Sequence, residues 1–123
     1  MIEIQNLAKK YSTQTVLDIN LLKIPAGQTF GLIGNNGAGK TTLFSCLLDL
    51  IKPTKGKVIN NQVDVSISEG WKSFTTAFLD ETFLIGYLMP EEYFYFIGEL
   101  RGLSKQQVDS FMSQFEDFFN GEI

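Results

Sequence analysis

The sequence predicts an α/β unit followed by a pair of packed helices. Three features carry that expectation. Strand-like apolar runs dominate the N-terminal half, a glycine-rich bend with a lysine joins one of them to a helical pattern, and the last third is phased at helical spacing.

Ile2, Ile4 and Leu7 open the first strand, which runs out at Lys9, Lys10, Tyr11 and Ser12. Residues 16–24 form the second, with Leu17, Ile19, Leu21 and Leu22 as sheet formers. Pro25, Ala26 and Gly27 make a turn, and residues 28–33 read as a short, largely apolar strand. Residues 41–50 read as a helix, with Leu43, Phe44, Leu47 and Leu48 on its apolar side. Lys52, Pro53, Thr54 and Gly56 end it. A strand over 57–60 leads to a turn at Asn60 and Asn61. Residues 64–72 give no clear pattern, and 73–79 read as a strand ending at Asp80 and Glu81.

The last third changes period. Pro90 with Glu91 and Glu92 suits a first helical turn, where proline lacks a donor the helix would not use and acids face the positive dipole end. Tyr93, Phe94, Phe96, Ile97 and Leu100 follow, and Arg101-Gly102 closes the segment. Ser104 and Gln107 form a capping-box pattern ahead of Val108, Phe111, Met112, Phe115 and Phe119. The aromatics at 93–97 and 111–119 allow two readings, a packed two-helix core or a partner-binding face. The expected division is 1–86 for the α/β core with its N-terminal hairpin and 87–123 for the helices.

Composition narrows the function. The chain has 123 residues, 44% hydrophobic and 20% charged, which fits one globular domain. A net charge of -4 and the absence of any Lys/Arg cluster argue against a nucleic-acid surface. Lys9, Lys10, Lys52, Lys55 and Lys57 read as ordinary solvated charges. The absence of histidine excludes chemistry built on an imidazole, and the single Cys46 excludes a disulfide framework. No run reaches the roughly 18 apolar residues of a membrane span and no signal peptide is evident, so a reducing cytoplasm is the expected compartment.

Residues 34–41 match G-x-x-x-x-G-K-[ST], between an apolar strand and an amphipathic helix as that motif requires. Gly34, Asn35, Asn36, Gly37, Ala38 and Gly39 can turn backbone N–H groups onto phosphate oxygens, because the glycines add no side chain to clash. The helix adds its free N-terminal donors. Lys40 is then placed for the β and γ phosphates, Thr41 for Mg²⁺, and Thr42 for the anion-binding first turn. The competing reading is a glycine-rich helix cap with an exposed lysine. Tyr11 reads either as a half-buried strand-end tyrosine or as a base-stacking platform. Asp80 and Glu81 read either as turn residues or as acids that face Mg²⁺ or water. Asp18 reads as a solvent-facing polar position.

With these motifs in place, the chain resembles the N-terminal half of an ABC transporter ATP-binding domain. The matching run is IEIQNLAKKYSTQTVLDINLLKIPAGQTFGLIGNNGAGKTTLFSCLLDLIKPTKGKVIN, and the likeness continues through FYFIGELRGLS. The resemblance implies a P-loop NTPase fold with N-terminal antiparallel strands and the start of a helical subdomain. It implies ATP and Mg²⁺ as ligands, with Tyr11 on the adenine. Its implied partners are a second ATP-binding subunit and a transmembrane permease, with the protein peripheral at the inner face of the plasma membrane. The resemblance tilts towards peptide, antimicrobial or multidrug exporters.

Two departures qualify the likeness. Where such proteins carry a glutamine after the strand that follows the loop, the nearest candidate here is Asp80. The signature sequence, the Walker B strand and the switch histidine do not occur in these 123 residues. The expectation is therefore a truncated domain with weak nucleotide binding, no turnover of its own and a tendency to non-native oligomers. The alternatives are a non-catalytic nucleotide-sensing or assembly module, and another P-loop class such as a GTPase-like switch or nucleotide kinase. No N-K-x-D segment supports the GTPase.

Overall fold

The computed structural model describes residues 1–119; the end of the expected 87–123 unit and the side chain of Phe119 lie outside the described residues. The chain separates into two compact units, Met1–Leu79 and Asp80–Ile123, a division slightly earlier than the expected 86/87.

The first unit is built on a four-stranded antiparallel sheet in the order β2-β1-β3-β4. The strands are β1 (Ile2–Tyr11), β2 (Gln14–Ile24), β3 (Lys55–Asn60) and β4 (Val63–Asp64). Central β1 pairs Ile4 with Leu22 on one side and with Val58 on the other. Its buried positions change phase between Ile4 and Leu7. A bulge against β3 does this, because two residues of β1 lie opposite Gly56 where one would be regular. Asn6 takes φ 47° and Gly56 φ 83°. A Cβ on Gly56 would run into the Asn6 backbone, which is why glycine stands there.

Helix α1 (Lys40–Leu47) packs Leu43 and Cys46 onto this sheet. The core joins them to Ile4, Leu7, Leu17, Val58, Val65 and Trp71. Trp71 lies in a 3-10 turn, Gly70–Phe74, and its indole N–H donates to the Val65 carbonyl at 3.2 Å. This anchor lies in the stretch where the sequence showed no pattern. Helix α1 ends sooner than the expected residue 50: Asp49 adopts φ 52°, and the Leu50 N–H returns to the Ser45 carbonyl at 2.9 Å.

Two expected strands do not form. Residues 28–33 and 75–79 are irregular, and residues 73 and 74 belong to the 3-10 turn. Both runs are apolar, but neither has a place in the sheet among the described residues. Ile33 is 97% exposed.

The second unit carries α2 (Pro90–Leu100), α3 (Lys105–Met112) and α4 (Glu116–Phe119). Both predicted helix starts are present. The Glu92 carboxylate accepts from the Met89 N–H at 2.8 Å, and Ser104 and Gln107 exchange capping bonds of 2.8 and 3.2 Å. The helix contact differs from the aromatic core expected as one reading. It runs through buried Gly98 and Val108, so close that a Cβ on Gly98 would clash with Val108. This approach leaves Phe96, Phe111, Phe115 and Phe118 exposed to solvent. The Tyr95 hydroxyl closes the pair by donating to the Asp109 carboxylate at 2.5 Å, which holds the phenol above its ordinary pKa.

Candidate functional site

The glycine-rich segment wraps the start of α1. The Ala38 N–H donates to the Asn35 carbonyl at 3.1 Å, making a tight turn in which Gly37 takes φ 82°. Gly39 takes φ 89° and ψ 7°, a left-handed conformation that costs glycine little. From there the chain enters the helix, and the Gly39 carbonyl accepts the first helical bond, from Leu43 at 2.9 Å.

No side chain caps this helix. Its first-turn amides therefore lack the internal acceptor that serine or aspartate usually supplies, and an anion fits that need. No acidic residue lies in the first turn to repel one. Asn36, Gly37, Gly39, Lys40, Thr41 and Thr42 line a cavity of about 220 Å³ together with Val16 of β2. The hydroxyl-bearing Thr41 is exposed, and Thr42 is half-buried.

Lys40 folds back over the loop. Its ammonium donates to the carbonyls of Gly34 and Asn35, the latter at 2.8 Å. These exposed bonds tie the half-buried lysine to the loop that precedes it. Gly34 also lies close against Ala38, where an added Cβ would approach the Ala38 Cβ to 3.3 Å. The loop is closed by backbone and by one cation, an arrangement suited to polyphosphate.

Tyr11 ends β1 opposite Gln14, and Val16, which lines the loop cavity, lies two residues further along β2. The tyrosine is exposed, and the Lys9 ammonium lies 5.1 Å from its ring centroid. Asp80 belongs to the second unit. Its carboxylate accepts from both the hydroxyl and the backbone N–H of Thr82, the latter at 2.8 Å. These bonds, the hydroxyl's first, hold its pKa below the usual aspartate value. Asp80 thereby caps a short 3-10 turn, Glu81–Phe83.

The structure brings Asn36, Gly37, Gly39, Lys40, Thr41 and Thr42 to one cavity, and the Lys40 ammonium to the carbonyls of Gly34 and Asn35. Val16 is the loop neighbour that the sequence reading missed. Its contribution is a backbone position, and no residue-type signal marks it.

The family model described as ABC transporter matches residues 17–119. Among individual proteins, the chain is 43% identical over 67 residues to the phosphonates import ATP-binding protein PhnC of Chromohalobacter salexigens, covering 54% of this chain and 25% of that one. It is 44% identical over 59 residues to the lantibiotic transport ATP-binding protein SrtF of Streptococcus pyogenes, covering 48% and 26%. A solved structure of the ATP binding subunit of an ABC transporter superposes with a TM-score of 0.63 at 27% identity, covering 85% of this chain and 44% of that one. The chain thus spans about a quarter of the length of these curated relatives.

Proposed function

Because the chain belongs to the ABC transporter family, we propose that it supplies the phosphate-binding part of an ATPase subunit that drives a membrane permease. One observation carries this reading. Lys40 is folded onto the carbonyls of Gly34 and Asn35, at the head of a helix whose first-turn amides no side chain caps.

Gly34, Asn35, Asn36, Gly37, Ala38 and Gly39 hold the triphosphate through backbone N–H groups, joined by the amides of Lys40, Thr41 and Thr42. The Lys40 ammonium supports the β and γ oxygens and offsets charge that builds on the phosphoryl group in transfer. Tyr11 stacks on the adenine. The donor set at the loop fits Mg²⁺ held through one hydroxyl and substrate oxygens, because Thr41 is exposed at the cavity. When bound, Mg²⁺ supplies charge neutralisation to the phosphates.

The partners in this reading are a second ATP-binding subunit and the permease, with the protein peripheral at the inner face of the plasma membrane. No helix among the described residues is long and apolar enough to cross a membrane. The phosphonate and lantibiotic relatives match at 43% and 44% identity, which supports a reading in which cargo choice lies outside the shared segment.

The test is calorimetric titration of the chain with MgATP, with Lys40→Ala as control. Saturable binding that the substitution removes supports the proposal. Flat heats from the folded wild-type chain contradict it.

A further inference from the structure

In the β1–β2 ladder, Lys9 pairs with Leu17 and the next pair is Lys10 with Thr15. Val16 is skipped, so it is the extra residue of a β-bulge. The same Val16 meets the phosphate loop: a Cβ built on Gly39 would lie 2.6 Å from the Val16 carbonyl oxygen and 3.7 Å from its Cγ1. Gly39 is buried and left-handed, and it starts α1. Val16 and Gly39 together line the two cavities that flank this point, of about 220 and 270 Å³.

We propose that Val16 is a positioning residue for the phosphate loop: the bulge sets its carbonyl against the Cα of Gly39 and thereby fixes where α1 begins. A regular ladder would give Val16 an opposite residue on β1 and aim its peptide along the sheet. The bulge turns that peptide out of register, as bulges beside binding sites do. Three consequences follow from the contact. Only glycine fits at 39, both for its φ and for the space the carbonyl takes. The first-turn amides point where the loop needs them, because the Leu43–Gly39 bond is built on a braced residue. The hairpin that ends in Tyr11 and the loop that ends in Lys40 also move as one body. The spacing between a stacked base and bound phosphates is then set by one inserted residue. This last consequence rests on the nucleotide-binding reading, whereas the brace itself does not.

The experiment compares the full chain with a Val16 deletion, which restores a regular ladder. Amide hydrogen exchange is read without nucleotide, and MgATP affinity is read separately. The deletion is expected to speed exchange of the Leu43 amide by about tenfold or more while β1 amides hold their rates. MgATP binding weakens by about tenfold. Unchanged Leu43 exchange in the deletion overturns the proposal. If the wild-type chain binds no MgATP but the deletion still frees Leu43, the brace stands and the nucleotide reading falls. Gly39→Ala gives a second test that keeps the sheet sequence intact. Its Cβ has to displace the Val16–Leu17 peptide, so the Leu17 amide resonance shifts. A Leu17 resonance that stays in place overturns the brace.

Discussion

Strand β1 and residues 28–33 are both rich in sheet formers and lie in the same unit, yet only β1 is a strand. β1 has a partner on each edge, β2 and β3, and buries Ile4, Leu7 and Ala8. Residues 28–33 pair with no strand among the described residues, and Ile33 stands almost wholly in solvent. Apolar composition makes a segment capable of pairing, but a neighbouring edge decides whether it pairs. The glycine-rich loop follows directly on that run. Its order comes from elsewhere, namely α1, Lys40 and the bulge of β2.

That contrast can be pressed by substitution. Leu7→Ala removes a side chain with no solvent exposure from the centre of the core, and should cost about 2–5 kcal/mol in denaturant unfolding. A loss below about 1 kcal/mol would mean that the sheet core is not packed as described. Lys40→Ala should weaken MgATP binding by about ten- to a hundredfold, equivalent to about 1.5–3 kcal/mol for bonds to a charged group. Its effect on stability should be far smaller than that of Leu7→Ala, because the site and the core are separate features of one unit.

In the second unit, Ser104→Ala removes the side-chain acceptor of the α3 capping box. It should cost about 1 kcal/mol, read as lost helicity on heating. Ile33→Ser is the sharpest check on the unpaired run, since an exposed side chain should change stability by no more than about 0.5 kcal/mol. A large loss there would show that residues 28–33 are paired after all. The smallest effect concerns Asp80, whose pKa is depressed by the Thr82 hydroxyl and amide. A depressed folded value means that this contribution is present above the unfolded pKa and fades as pH falls through the folded one. Thr82→Val should move the Asp80 carboxyl titration up towards the ordinary aspartate value, as followed by carbon NMR. An unmoved titration would mean the hydroxyl bond is absent.

The features legible in the sequence were those whose physics is local. The glycine-rich turn into α1 was legible because glycine, lysine and threonine at fixed offsets encode backbone conformation, charge and helix start together. The Ser104–Gln107 box was legible for the same reason, since both partners lie within one turn. The strands β1 and β2 followed from apolar patterning. What stayed hidden depended on distant backbone. The strands proposed at 28–33 and 73–79 failed for lack of an edge to pair with, which no window of sequence reports. Trp71 gains its place from the Val65 carbonyl across an irregular turn. The exposed aromatics of α2 and α3 follow from the close approach at Gly98 and Val108, which displaces larger side chains from the helix contact. Val16 was invisible for a further reason: a bulge is a matter of register between two strands, and valine there looks like any other sheet former.

The most direct measurement is a two-dimensional amide NMR titration of the chain with MgATP. Shifts concentrated at residues 34–42, together with the Tyr11 ring, are the predicted result, with the sheet amides of β1 and β3 nearly still. Saturable shifts that leave residues 34–42 unmoved would contradict the account, because the nucleotide would then be held by something other than the loop.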